Sequence, residues 1–350
     1  MIHRDFRLLT LRPSGWWRIL YESGLSRDVE SGLAEARWVD PVAADNQKQY
    51  SNNERGFMSV IRAMVLAVVA YLLSVGQIRA QQAPAAPAGK LYNTAKQKLQ
   101  EGKSIIGSSV YSPDPNIYCA MANAGFDFLW IERQHSTLEF ADISKMIFAC
   151  KGASAMPFLR VPDATESEIQ KATDIGILGI IVPTVETAEK AQAAVQWAKY
   201  PPFGRRSQGE SQAPTLYGRD YRQTANDNMM VVIMIESPAG VANLDTIVAV
   251  PGIDVIFVGS GDLASFSGYK QGSPEYEALL TKIEGTTLKA GLKLGGPQGW
   301  KESRKGKGYT FFQGGGSANN EVRLIQLGAK VSLGLTGTSE GGRGANPDNR

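Results

Sequence analysis

The chain has 350 residues, 43% hydrophobic and 20% charged, a balance that excludes a disordered polypeptide. Its 37 basic and 34 acidic residues leave a net charge of +3, and residues 1–80 hold 10 of the bases and 8 of the acids. The remainder is therefore close to neutral, which excludes a nucleic-acid binder working through clustered Lys and Arg.

The first eighty residues read as a segment apart from the fold. Ala63 to Gly76 (AMVLAVVAYLLSVG) is apolar and uncharged, preceded by Arg62 and followed by a small residue at Ala80. A membrane span needs about 20 apolar residues, more than this run offers. A basic flank, a short apolar core and a small residue are the parts of a secretory signal peptide, here residues 58–80, which predicts export to the periplasm or the medium. No stable membrane span is expected once it is cleaved. Met1–Phe57 (1–57) reads as a non-structured extension upstream of a true start at Met58. The alternative is an extension ahead of an uncleaved anchor. Residues 81–90, with their Ala/Pro run, read as a linker that has nothing to bury.

From Leu91 to Leu333 one pattern repeats: a short apolar run, then a polar amphipathic stretch. Strands are predicted at Ile105–Ser109, Phe128–Glu132, Pro157–Arg160, Gly179–Pro183, Val231–Glu236, Val255–Gly259, Lys293–Gly296 and Tyr309–Gln313. Several are apolar almost throughout, as strands buried on both faces must be. Helices are predicted between them, among them Thr165–Ile175, Thr187–Ala198 and Pro274–Ala290, the last stopped by Gly291. Such alternation means a parallel sheet with crossover helices, and eight units predict a (β/α)8 TIM barrel. The connection from Tyr200 to Asn228 is long enough to be a lid or a subunit contact. Residues 334–350 read as a Gly-rich flexible tail.

Barrel chemistry sits where strands end. The second strand ends in Glu132-Arg133-Gln134-His135, the third at Arg160, the fifth at Glu236, and the sixth runs into Gly259-Ser260-Gly261-Asp262. Charges directly after buried apolar runs are costly unless paired, hydrated or bound to metal. Glu236 and Asp262 suit a hard divalent cation completed by water and a chelating substrate; their other reading is a structural salt bridge near Arg160. His135 is one of two histidines in the chain and the only one after residue 80. It is either a structural histidine or, beside Glu132, a catalytic base. The guanidinium of Arg160 either neutralises carboxylates or grips an oxo acid. If Asp262 opens a helical turn, the free N–H groups there can hold a substrate carboxylate.

Other features carry less. Gly314–Gly316 with Ser317 is a flexible loop or a phosphate loop without its lysine. Lys301–Lys307 reads as a solvated helical face. Cys119 and Cys150 read as core filler; they can pair only in an oxidising compartment and with Cα atoms within about 7 Å.

At these residues the chain resembles the HpcH/HpaI aldolase/citrate lyase family, the metal-dependent class II pyruvate aldolases. The segments that carry the likeness are Ala124–Glu132 with Gln134-His135, Phe158–Pro162, Gly179–Thr187, Tyr200–Arg206, Ile235–Ser237 and Gly252–Leu263. The resemblance implies a metal pair, Glu236 and Asp262, for Mg2+, Mn2+ or Co2+. It implies that Arg160 contacts the oxo acid and that backbone N–H groups of Gly261 and Asp262 hold its carboxylate. It further implies that His135, with a strand-end carboxylate, activates metal-bound water, Glu132 standing where that acid is usually aspartate. The family's aspartate-x-glutamate-histidine is here Glu132-Arg133-Gln134-His135, a longer acid and one charge fewer. The implied reaction is reversible cleavage of a 4-hydroxy-2-oxo acid to pyruvate and an aldehyde. Alternatives are a lyase of malyl-CoA or citrate type and an exported barrel that binds an oxo acid without turnover. A homo-oligomer, a hexamer exchanging a final helix within Ala318–Lys330, is also implied.

Overall fold

The computed structural model describes residues 90–209, 211–315 and 320–335. The segments read as extension, signal peptide and most of the linker and tail lie outside these residues.

Eight parallel strands close into a barrel in sequence order. They are β1 (Ile105–Val110), β2 (Phe128–Glu132), β3 (Met156–Arg160), β4 (Gly179–Val182), β5 (Met230–Ile235), β6 (Val255–Val258), β7 (Lys293–Pro297) and β8 (Tyr309–Gly314). Each lies within a residue of its predicted bounds, because an apolar run buried on both faces has sharp polar ends. The helices packed outside include α1 (Thr94–Gln100), α2 (Pro115–Ala122), α3 (Phe140–Ala149), α4 (Glu166–Asp174) and α5 (Ala188–Ala198). After these come α6 (Ala213–Tyr217), α7 (Tyr221–Asn228), α8 (Pro238–Ala242), α9 (Leu244–Val248), α10 (Ser260–Ser267), α11 (Pro274–Lys289), α12 (Trp300–Ser303) and α13 (Asn320–Ser332).

Two apolar layers hold the barrel. Its interior is filled by Phe128, Trp130, Phe158, Phe257 and Phe311 among others. Phe128 stacks on Phe158 at 4.9 Å and meets Phe311 at 4.5 Å between ring centroids. Gly179 is a glycine because a Cβ there would stand 2.4 Å from the Phe158 ring. The second layer lies between strands and helices, with Ile143, Ile169, Val195 and Ile283 buried against Leu129, Ile180, Ile233 and Ile256.

Three expectations change. The connection before β5 is not a lid: it joins the C-terminus of α5 to the start of a strand, so it lies at the end of the barrel opposite the strand termini. There it folds into α6 and α7, and Asn228 accepts from the N–H groups of Tyr92 and Asn93 at 2.7 and 2.8 Å. Cys119 and Cys150 are not core filler but a disulfide joining α2 to the end of α3, Cα atoms 5.3 Å apart. The run Lys301–Lys307 is not wholly solvated, for Arg304 turns inward to Glu277 and Glu284 at 2.8 and 2.6 Å.

Candidate active site

The strand register sets the site. Glu132 pairs with Arg160 across β2 and β3, and Ile235 with Val258 across β5 and β6, so the residues just beyond these ends share one rim.

Glu132 is fully buried. Its Oε2 accepts from Arg160 Nε and Nη2, both at 2.6 Å, and from the Trp130 indole at 3.1 Å. Its Oε1 accepts from the main-chain N–H groups of Gln134 and His135 at 2.8 and 3.0 Å. The Glu132 carboxylate is thus spent on Arg160 and on the loop backbone. The link expected from it to the His135 imidazole is absent among the described residues, and His135 is exposed. Tyr111, just past β1, feels the charges of Glu132 and Arg160, and burial pushes its phenol up to about 12.

Glu236 is 1% exposed, and Oε1 accepts from the Thr184 N–H at 2.6 Å. Thr184 supplies that N–H from a left-handed backbone, φ 49°, a conformation costing a non-glycine residue about 1 kcal/mol. Lys190 holds the Thr184 hydroxyl at 3.1 Å and Asp163 at 2.8 Å. Oε2 of Glu236 is buried with no hydrogen-bond partner among the described residues. Burial pushes this carboxyl up to about 6; the Asp262 charge adds to the rise, while the Thr184 N–H, Arg160 and Lys190 oppose it. The salt-bridge reading of Glu236 fails, because Arg160 gives its hydrogen bonds to Glu132.

Asp262 lies in the first turn of α10 and is exposed. The first bond of that helix runs from Leu263 N–H to Gly259 O, 2.9 Å, so the N–H groups of Ser260, Gly261 and Asp262 precede it. Gly259 has an ordinary φ of −76°, yet a Cβ there would come within 2.7 Å of the Glu236 Cβ and would overlap its carboxylate. The glycine is the cradle of Glu236.

The residues present fit a hard divalent cation. A buried carboxylate oxygen without a donor, with the charge of Asp262 acting on it from the first turn of α10, makes an oxygen site of one sign. No group of three or more His, Cys, Asp or Glu side chains gathers for a metal among the described residues. Two carboxylates with water and substrate suffice for an ion such as Mg2+, which dehydrates reluctantly. Among the described residues no strand ends in a lysine at this rim: Lys293 opens β7 and so lies at the opposite end, and Lys190, reaching in from α5, is engaged by Thr184 and Asp163.

Thr184 and Tyr111 were not singled out from sequence, and Gly259 was read only as part of a turn. Their positions just past β4, β1 and β6 were the available signal; the left-handed turn and the packing of Gly259 leave no pattern in composition.

Residues 108–295 match the profile of the HpcH/HpaI aldolase/citrate lyase family. A 2-dehydro-3,6-dideoxy-6-sulfogluconate aldolase from Pseudomonas putida is 33% identical over 220 residues, 61% of this chain and 86% of that protein. A hydroxypyruvate/pyruvate aldolase from Roseobacter denitrificans is 34% identical over 195 residues, 54% of this chain and 76% of that one. Among solved structures, an HpcH/HpaI family protein from Burkholderia cenocepacia superposes with a TM-score of 0.62 at 27% identity, over 70% of this chain and 100% of that one. The closed barrel, the rim of carboxylates and these likenesses agree: the chain belongs to the HpcH/HpaI aldolase/citrate lyase family.

Proposed function

We propose that this aldehyde-lyase cleaves a 4-hydroxy-2-oxo acid reversibly to pyruvate, or a related 2-oxo acid, and an aldehyde. The observation that carries the reading is the buried, donorless Oε2 of Glu236, on which the charge of a second carboxylate, Asp262 in the first turn of α10, acts. Glu236 and Asp262 would hold Mg2+, Mn2+ or Co2+, which when bound supplies Lewis-acid polarisation of the keto group. Relatives named as aldolases of hydroxypyruvate and of a sulfogluconate derivative support the reaction class.

The chain's own residues do the rest. Arg160, fixed by Glu132 and lying 5.6 Å above the Trp130 ring, presents its guanidinium to the oxo acid with little freedom left to lose. The N–H groups of Gly261 and Asp262 receive the substrate carboxylate at the start of α10. His135 takes the proton from the C4 hydroxyl in cleavage and returns it in condensation. Glu132 acts on His135 through the backbone, by fixing the loop that carries it.

We also propose that the mature chain is exported and oligomeric. The Cys119–Cys150 bond supports an oxidising compartment. No helix among the described residues is long and apolar enough to cross a membrane. On α13, Leu324, Leu327 and Val331 are 38%, 53% and 57% exposed, an apolar face that supports exchange of this helix within a hexamer.

Pyruvate release from a panel of 4-hydroxy-2-oxo acids, with and without added cation, tests the reading. Chelation and Glu236→Ala should each abolish release while circular dichroism stays unchanged. Turnover that persists in excess chelator would overturn it.

A further inference from the structure

A cavity of about 520 Å³ opens at the end of the barrel opposite the rim, between the C-terminus of α5 and the turn that leads into β6. Val195, Phe203, Val250 and Pro251 give it apolar walls, and Gln196 and Thr246 add neutral polar groups. One ionisable side chain lines it: Lys199, the C-cap of α5.

Lys199 is 8% exposed, and its amine makes no hydrogen bond or ion pair among the described residues. The nearby acid is already engaged: Asp254 takes Lys96 Nζ at 3.2 Å on one oxygen and the Val231 N–H at 2.9 Å on the other. Gly252 lies against the stem, a Cβ there coming 3.9 Å from Lys199 Cε. Burial pushes the amine below the ordinary lysine range; Asp254 and Asp227 oppose this, and the positive charge of Lys96 adds to it. A desolvated amine beside a second cation is the setting in which a lysine becomes a nucleophile.

We propose that Lys199 is a second carbonyl site, where a small aldehyde or ketone enters this cavity and condenses with the amine as a reversible imine. The nitrogen lone pair attacks the carbonyl carbon, the C–N bond forms, and the carbonyl oxygen leaves as water with two protons from the nitrogen. No oxidant or reductant is needed. The apolar walls receive the carbon chain, and Gln196 and Thr246 face its polar substituents. The site shares no residue with the carboxylate rim, so it stands whether or not the rim binds a cation.

The test uses the full chain with propanal and sodium cyanoborohydride near neutral pH, which turns any imine into a stable propyl-lysine. Digestion and mass spectrometry then rank the lysines by labelling rate. Lys199 should label severalfold faster than Lys289, which is exposed. A rate equal to or below that of Lys289 would overturn the proposal. Excess chelator should leave the Lys199 rate unchanged; its loss would tie the Lys199 site to the cation at the rim and also overturn the proposal. Lys199→Arg should remove the fast site while keeping the positive charge. If that variant does not fold, the ranking within the unaltered chain still decides.

Discussion

Glu132 holds His135 by its backbone: the carboxylate accepts the His135 main-chain N–H at 3.0 Å and leaves the imidazole without it. The same carboxylate grips Arg160 at 2.6 Å. One acid therefore positions both the guanidinium and the loop of the proposed base, and its extra methylene relative to aspartate gives the reach to serve both.

Glu132→Gln should leave Arg160 as an uncompensated charge in a buried setting. Breaking such a pair from one side costs about 3–5 kcal/mol. Urea unfolding should show that loss, and turnover should fall with it, because neither Arg160 nor the His135 loop keeps its place. Unchanged stability would show that the pair is not buried in solution.

Gly259→Ala tests the cradle. Its φ of −76° suits alanine, so the backbone has no objection, but the new methyl overlaps the Glu236 carboxylate. Cation affinity, read by calorimetric titration of Mn2+, should drop sharply while the melting temperature shifts little. Retained affinity would mean that Glu236 is free to move aside.

The pH dependence follows from Glu236, whose carboxyl burial pushes up to about 6 from an ordinary 4.5. A raised acid binds its proton more tightly in the folded chain than in the unfolded one. Its contribution to stability is full below about pH 4.5 and is lost as pH rises through about 6, a change of about 2 kcal/mol without cation. Cation binding needs the ionised form, so affinity should rise over the same window. Unfolding of chelated protein at pH 4.5 and pH 7, with Glu236→Gln as the control that lacks the step, checks both signs.

The disulfide between Cys119 and Cys150 closes a loop with a separation of 31 residues. Loop-closure entropy makes such a crosslink worth about 3–4 kcal/mol. A Cys119→Ser/Cys150→Ser double variant should lose roughly that in unfolding free energy. It should keep its turnover, since the bond ties two outer helices and touches no rim residue. Free thiols in the protein purified without reductant would contradict the bond.

Much of the fold was legible in the sequence. Runs such as FLWI and MVVIMI are apolar without a break because each strand is covered inside by aromatic rings and outside by helices. Strand ends, and with them Glu132, Arg160, Glu236 and Asp262, followed from where those runs stop. The lid expected before β5 did not follow, because loop length does not say at which end of a barrel the loop lies. That depends on whether it follows a helix or a strand.

Local periodicity and strand order are written into the chain one segment at a time, so sequence alone determined the (β/α)8 barrel and gathered the acids at one rim. Which acid faces which partner was decided only in three dimensions. Glu132 bonds Arg160 across neighbouring strands, Glu236 rests on Gly259 and a left-handed Thr184, and Cys119 meets Cys150 across two helices. These pairings depend on side-chain direction and close approach between distant segments, and residue order carries neither.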